Sequence, residues 1–406
     1  MVLLVFILLV FLGLGYPKSR GVTQLNALLM FLTLAPATTA SDMEQFKHVY
    51  DNLYTYGLQF HYEPGYSILM IICKELGMDF FEFRIIWALL IVIIINAAVK
   101  RFTENTAMAS ALFILYNLFP MASGMRMAIS VVIAVYGISF LAENKCKATF
   151  YLLMAVMFHY SSIFYLLFLF MKTKNNLHEL KKRKMFSFVV AISILTYIVG
   201  KTDILWLIVS SITEREKTLM WFSGEISRPN EIGLIVAISV VVINYFISRL
   251  GLKKALNSGM GISQMNIAFN MSRVLLFLIP LLSIHDVFMR IAIGIFPVVL
   301  FSYCSLIRVS EDRESISRYY AISFEKFMLL FWGIIFIAYQ GYMYYRGSGL
   351  SLISVVNDNP IFAMIGLKDM CIIALGCLVS WRLFHIKEMC AIVVLIYFCW
   401  MSLRIV

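Results

Sequence analysis

Apolar runs of about 15 to 22 residues recur from one end of the chain to the other, with short basic clusters between them. Wound as helix, such a run crosses a hydrocarbon core of roughly 30 Å, where every backbone N–H and C=O must be satisfied within its own segment. Repetition of the pattern points to an all-α, polytopic helical membrane protein. A β-barrel would alternate apolar and polar residues, and the runs do not. Composition agrees: 61% of the 406 residues are hydrophobic and 14% charged, far more apolar surface than a soluble globule of this length needs.

The formal charge of +11 raises nucleic acid as a partner. The basic residues instead flank apolar runs, at 17–20, 100–105, 143–147, 172–184, 248–254, 308–318 and 382–387. The positive-inside rule places these clusters in the cytoplasm, and no nucleic-acid partner is expected. The apolar runs are then 2–16, 22–40, 80–99, 107–120, 126–142, 185–200, 231–248, 263–284, 287–306, 323–342, 363–382 and 388–404, about twelve crossings with both termini on the outer side. Large outer-face loops fall at 41–62, 201–230 and 343–362, and residues 1–406 read as a single integral membrane domain. The opening MVLLVFILLVFLGLG lacks a basic leading region and reads as a retained helix.

Two stretches do not read as simple crossings. Residues 63–77, EPGYSILMIICKELG, are short and begin with Glu63 and Pro64. Residues 148–171 have strongly basic flanks on both sides, so both ends belong in the cytoplasm. A re-entrant hairpin of two short helices, each of about 12 residues and 18 Å, resolves the conflict, with its turn at His159-Tyr160-Ser161-Ser162. Broken backbone at that depth requires protein or water around it.

Polar residues in the apolar runs need a reason, because an arginine at the centre of a spanning helix costs about 2.5–3.5 kcal/mol. Arg126 stands just inside the outer end of a helix behind Ser123-Gly124, where free N–H groups, the helix dipole and a guanidinium would converge on a phosphate. A lipid headgroup or a nearby acid would serve it equally well. Arg290 follows His285 and Asp286, and Asp286 is a local partner at i, i+4. Arg273 lies nearer the inner half of its helix, and Arg84 can pair with Glu82 or a headgroup. His159 reads either as a satisfied core residue or as a base or phosphate-contacting group, since imidazole titrates near neutrality. Asp42 and Glu63 flank the first outer loop, and Glu63 is pinned at the membrane surface by the apolar run that follows Pro64. The seven cysteines form no Cys-x-x-Cys pair, and the chain contains no Gly-x-x-x-x-Gly-Lys-Ser/Thr, His-Glu-x-x-His or Gly-x-Ser-x-Gly motif. No metal and no cofactor is expected.

In order along the chain, Ser41-Asp42 with Phe46, then Glu63-Pro64-Gly65-Tyr66, then Met125-Arg126-Met127-Ala128 and Phe158-His159-Tyr160-Ser161-Ser162 resemble the EpsG-like, Wzy-type polysaccharide polymerases of bacteria. The similarity runs from about residue 1 to 175, with a weaker echo at Arg290 and Phe296. An arginine often found before the Asp loop is replaced here by LAPATTA, and Met127 stands where the family often has Gln.

The resemblance implies a metal-independent glycosyltransferase at the periplasmic face of a bacterial inner membrane. It would polymerise undecaprenyl-diphosphate-linked oligosaccharide repeat units into O-antigen or a similar surface polysaccharide. Arg126 and Arg290 would hold the diphosphate. His159 would take the acceptor's proton or contact the phosphate, with Asp42 or Glu63 as the fallback base. A chain-length regulator and a flippase would be partners. The competing readings are a lipid-linked oligosaccharide flippase or transporter, a multi-spanning acyltransferase and an O-antigen ligase. A transporter is disfavoured by the lack of a clear internal repeat and by polar residues gathered toward the outer face.

Overall fold

The computed structural model describes residues 2–36, 43–54, 62–170, 231–282, 288, 291–292 and 294–307. Among the described residues every regular element is helical. The chain divides into two compact units, one built on residues 1–132 with 157–159 and 307–406, the other on 133–156 with 160–306.

The first unit begins with the uniformly apolar α1 (Val2–Gly15). Ser19 caps α2 (Arg20–Leu34) by accepting from Val22 N. This helix stops short of the expected residue 40: Ala35 keeps helical angles and still donates to Phe31 O, but Pro36 follows, and with no N–H it cannot extend the hydrogen-bond ladder. The expected outer loop 41–62 contains a helix, α3 (Met43–Asp51), whose buried Met43, Phe46 and Tyr50 share one face while Glu44, His48 and Asp51 are exposed. α4 (Pro64–Glu75) is the short segment expected at 63–77. α5 (Phe80–Phe102) starts with a capping box: Glu82 N donates to Asp79 Oδ1 at 2.8 Å and Asp79 N to Glu82 Oε2 at 2.9 Å. Lys100 and Arg101 in its last turn suit the negative end of the dipole.

α6 (Thr106–Ser123) packs against α1, α2 and α5. The seam is made of small and polar residues, as expected where helices cannot rely on the hydrophobic effect to associate. A Cβ on Gly13 would stand 2.6 Å from that of Ala111, and Asn26 donates to Ala107 O at 3.1 Å and to Ser110 Oγ at 3.0 Å. Arg84 does not pair with Glu82, whose carboxylate is engaged in the capping box. It is 2% exposed and turns inward, donating from Nη2 to Leu34 O at 2.7 Å, the last carbonyl of α2. This buried guanidinium closes the end of one helix from the side of another.

α7 (Met125–Ile138) and α8 (Lys145–Phe158) follow. At 14 residues, α7 is about 21 Å long, less than a full crossing. α8 ends at Phe158, and His159 lies outside helical structure, so the break falls where the sequence places it. The second arm, Tyr160–Phe170, is a 3₁₀ helix. Its buried residues are Ser162, Tyr165 and Phe168, three apart, which is the 3₁₀ period. Tyr165 OH donates to Ile291 O at 3.1 Å.

The rest of the second unit is a packed group of α9 (Glu231–Ser258), α10 (Ile262–Leu275) and α12 (Phe296–Cys304), with the short α11 (Ile279–Leu282) continuing α10 through a 3₁₀ turn. Asn244 on α9 donates to Ser272 Oγ on α10 at 3.3 Å. Among the described residues two helical stretches, Phe80–Phe102 and Ile262–Leu282, are long and apolar enough to cross a membrane. The crossings expected at 185–200, 323–342, 363–382 and 388–404 lie outside the described residues, as do the loops expected at 201–230 and 343–362.

Candidate functional site

The stretch Glu63-Pro64-Gly65-Tyr66 assigns one task to each residue. Pro64 occupies the first position of α4, where its missing N–H costs nothing and its fixed φ starts the helix. Glu63 precedes it, and its carboxylate makes no capping hydrogen bond, so the side chain is available for other partners. Gly65 sets a close approach: a Cβ there would lie 3.0 Å from Met157 O and 3.1 Å from Met157 Cβ. The end of α8 therefore rests directly on the start of α4, and His159, two residues later, reaches Glu63. Tyr66 is fully buried, with its ring among Phe46, Tyr62 and Phe83 and its hydroxyl donating to Met125 Sδ at 3.6 Å.

Arg126 reaches the same point from the first turn of α7. Trp87, fully buried on α5, donates its indole N–H to Met125 O at 2.9 Å and anchors that turn. Gly124 O accepts from Ala128 N, so α7 winds from Gly124 onward and the N–H groups of its first turn lack intrahelical acceptors. The guanidinium lies 4.4 Å from the Tyr62 ring centroid and 5.9 Å from that of Phe46. Contacts of this kind contribute about 0.5–2 kcal/mol and fix the plane of the group.

The carboxylate of Glu63 joins the guanidinium of Arg126 and the imidazole of His159. Its Oε2 accepts from Arg126 Nη1 at 2.5 Å and its Oε1 lies 2.8 Å from His159 Nδ1. Side-chain exposure is 4% for Glu63, 16% for His159 and 28% for Arg126, so the anion is the innermost of the three. Burial alone would raise the carboxyl's pKa. The His159 hydrogen bond and the Arg126 charge outweigh burial and bring it down to about 2. Because the folded value is depressed, the stabilisation is complete above the ordinary carboxyl value of 4.5 and drains away as pH falls toward 2. Arg126 has donors in reserve: its buried Nε has no hydrogen-bond partner among the described residues, and the side chain is partly open.

Of the residues that the sequence singles out, Glu63, Arg126 and His159 come together. Asp42 and Arg290 lie outside the described residues. Phe46, which the sequence marks only as the aromatic after Asp42, holds the guanidinium together with Tyr62; Tyr62 and Trp87, which holds the turn carrying Arg126, belong to no motif. A tryptophan within an apolar helix still needs an acceptor for its N–H, and that is the signal by which Trp87 could have been found.

Gly65→Val tests the contact that joins α4 to α8. The branched side chain would press on the Met157 backbone, an overpacking cost of about 1–3 kcal/mol. A lowered unfolding midpoint of the detergent-solubilised protein is expected. An unchanged midpoint would mean that the two segments do not need to touch.

The model of the EpsG family matches residues 23–347. The chain belongs to the EpsG family. The match takes in all five candidate residues and extends well past the region, ending near residue 175, in which the motifs cluster. No curated protein and no solved structure matches the chain. Membership in the EpsG family, with the apolar helices, makes this a membrane protein of polysaccharide biosynthesis, with glycosyltransferase-type polymerase activity on a lipid-linked saccharide.

Proposed function

We propose that this EpsG family member polymerises undecaprenyl-diphosphate-linked oligosaccharide repeat units at the periplasmic face of the inner membrane, building O-antigen or a similar surface polysaccharide without a metal. The observation that carries the reading is the meeting of Arg126 and His159 on one buried carboxylate, with Arg126 partly exposed and its Nε unpartnered among the described residues. The donor sugar arrives activated by its diphosphate, so the protein has to supply position, charge stabilisation and a base.

In the step, an acceptor sugar hydroxyl attacks the anomeric carbon of the donor. The bond from that carbon to the phosphate oxygen breaks, and the electron pair leaves with the undecaprenyl diphosphate. Negative charge grows on the leaving group, and Arg126 is placed to receive it through N–H groups that Glu63 does not use. The hydroxyl proton passes to His159 Nε2. Glu63 is a poor base, because a carboxyl held near 2 has little affinity for a proton. Arg290 serves as the second diphosphate contact and Asp42 as the reserve base, both from the family resemblance. A flippase would deliver the units, and a chain-length regulator would act on the product.

Deleting the chain tests the reading against its rivals. The expected surface glycan is a single repeat unit in place of a long ladder. Complete loss of surface glycan would instead identify a ligase, and units stranded on the cytoplasmic face a flippase.

A further inference from the structure

The function just proposed needs a base whose proton-accepting nitrogen faces the acceptor sugar, and three observations say how that nitrogen is set. The two oxygens of Glu63 are divided, one to Arg126 and one to His159 Nδ1. An ionised carboxylate only accepts hydrogen bonds, so the proton of that pair belongs to Nδ1. Among the described residues, Nε2 of His159 has no hydrogen-bond partner. Glu63 is also the most buried of the three, so it acts on the ring and the guanidinium from behind while they keep their outward edges.

We infer that Glu63 is a positioning residue: it holds His159 in the Nδ1–H tautomer, leaving Nε2 as the open proton acceptor, and holds Arg126 beside it with its other oxygen. The inference rests on the proposed polymerase reading. The backbone supports it, since the Gly65–Met157 contact brings His159 to Glu63 and the Trp87–Met125 bond fixes the turn that carries Arg126. The charged and titratable groups gathered here are Glu63, Arg126, Tyr62 and Tyr66, with Arg84 acting on Tyr66 from α5. Among the described residues, Glu63 is the carboxylate of this group.

The test uses the full chain labelled with ¹⁵N-histidine, with the His159 signals assigned by subtraction of the His159→Gln spectrum. The neutral ring is expected to show a protonated Nδ1 and a bare Nε2, whereas a solvent-exposed histidine side chain favours the reverse. Glu63→Gln, whose uncharged amide no longer dictates which nitrogen keeps the proton, is expected to give mixed tautomers. It should lower the rate of glycan lengthening on a purified undecaprenyl-diphosphate-linked donor by about tenfold or more. Glu63→Asp should recover part of that rate. A wild-type ring protonated on Nε2 would overturn the inference even if the variants failed to fold, and so would an unchanged rate in Glu63→Gln. If wild-type protein lengthens no glycan while the tautomer is as expected, the polymerase reading falls and the positioning geometry survives it.

Discussion

Arg126→Ala is expected to reduce polymerisation by about 100-fold or more, the usual cost of removing a donor aimed at charge that develops in a transition state. In cells this appears as loss of the long glycan ladder with single repeat units retained. Two effects contribute. The departing diphosphate loses its guanidinium, and Glu63, 4% exposed, loses the positive charge of Arg126 while keeping its hydrogen bond to His159. Comparison with Arg126→Lys separates them. Lysine restores a positive charge to the pair but offers a point charge in place of a planar fork, so it should rescue stability better than rate. An Arg126→Ala protein of normal abundance that still makes a full ladder would remove the guanidinium from the chemistry.

His159→Ala is expected to slow glycan transfer by about 10²- to 10⁴-fold, the range for loss of a positioned general base. The sharper variant is His159→Gln. Its amide can still donate to Glu63 Oε1 and keep the buried carboxylate satisfied, but it cannot accept the proton of a sugar hydroxyl. Loss of rate with the unfolding midpoint preserved would separate chemistry from packing. His178→Ala, in the basic stretch 172–184, serves as the control and should leave the rate intact. Equal losses at both positions would return His159 to the role of a core residue.

The parts of this architecture legible beforehand are those governed by the lipid environment. Apolar length located α1, α5 and α10, and the clash between two basic flanks located the break at His159. A cost in free energy marked Arg126 as needing a partner, and Glu63 proved to be that partner across 63 positions of sequence. What could not be read was which polar residues meet. Arg84 carries the same cost as Arg126, yet it ends on a backbone carbonyl, and only the register between α2 and α5 decides that. α3 was hidden because its apolar positions, Met43, Phe46 and Tyr50, are few and stand among charged neighbours, so the stretch looked like loop. The 3₁₀ winding after His159 was also illegible, because the run from Ile163 to Phe170 is apolar throughout and has no period to read.

That winding changes the arithmetic of the segment. Eleven residues at the 3₁₀ rise reach about 22 Å, against about 16 Å for the same residues as α-helix. Successive residues step by about 120°, so Ser162, Tyr165 and Phe168 stack in a single file. At the α-helical step of about 100° the file would fan over a third of the circumference. The segment is thus indexed in threes: one inserted residue before Tyr165 would swing its hydroxyl a third of a turn from the Ile291 carbonyl, and three would bring an equivalent position back into line.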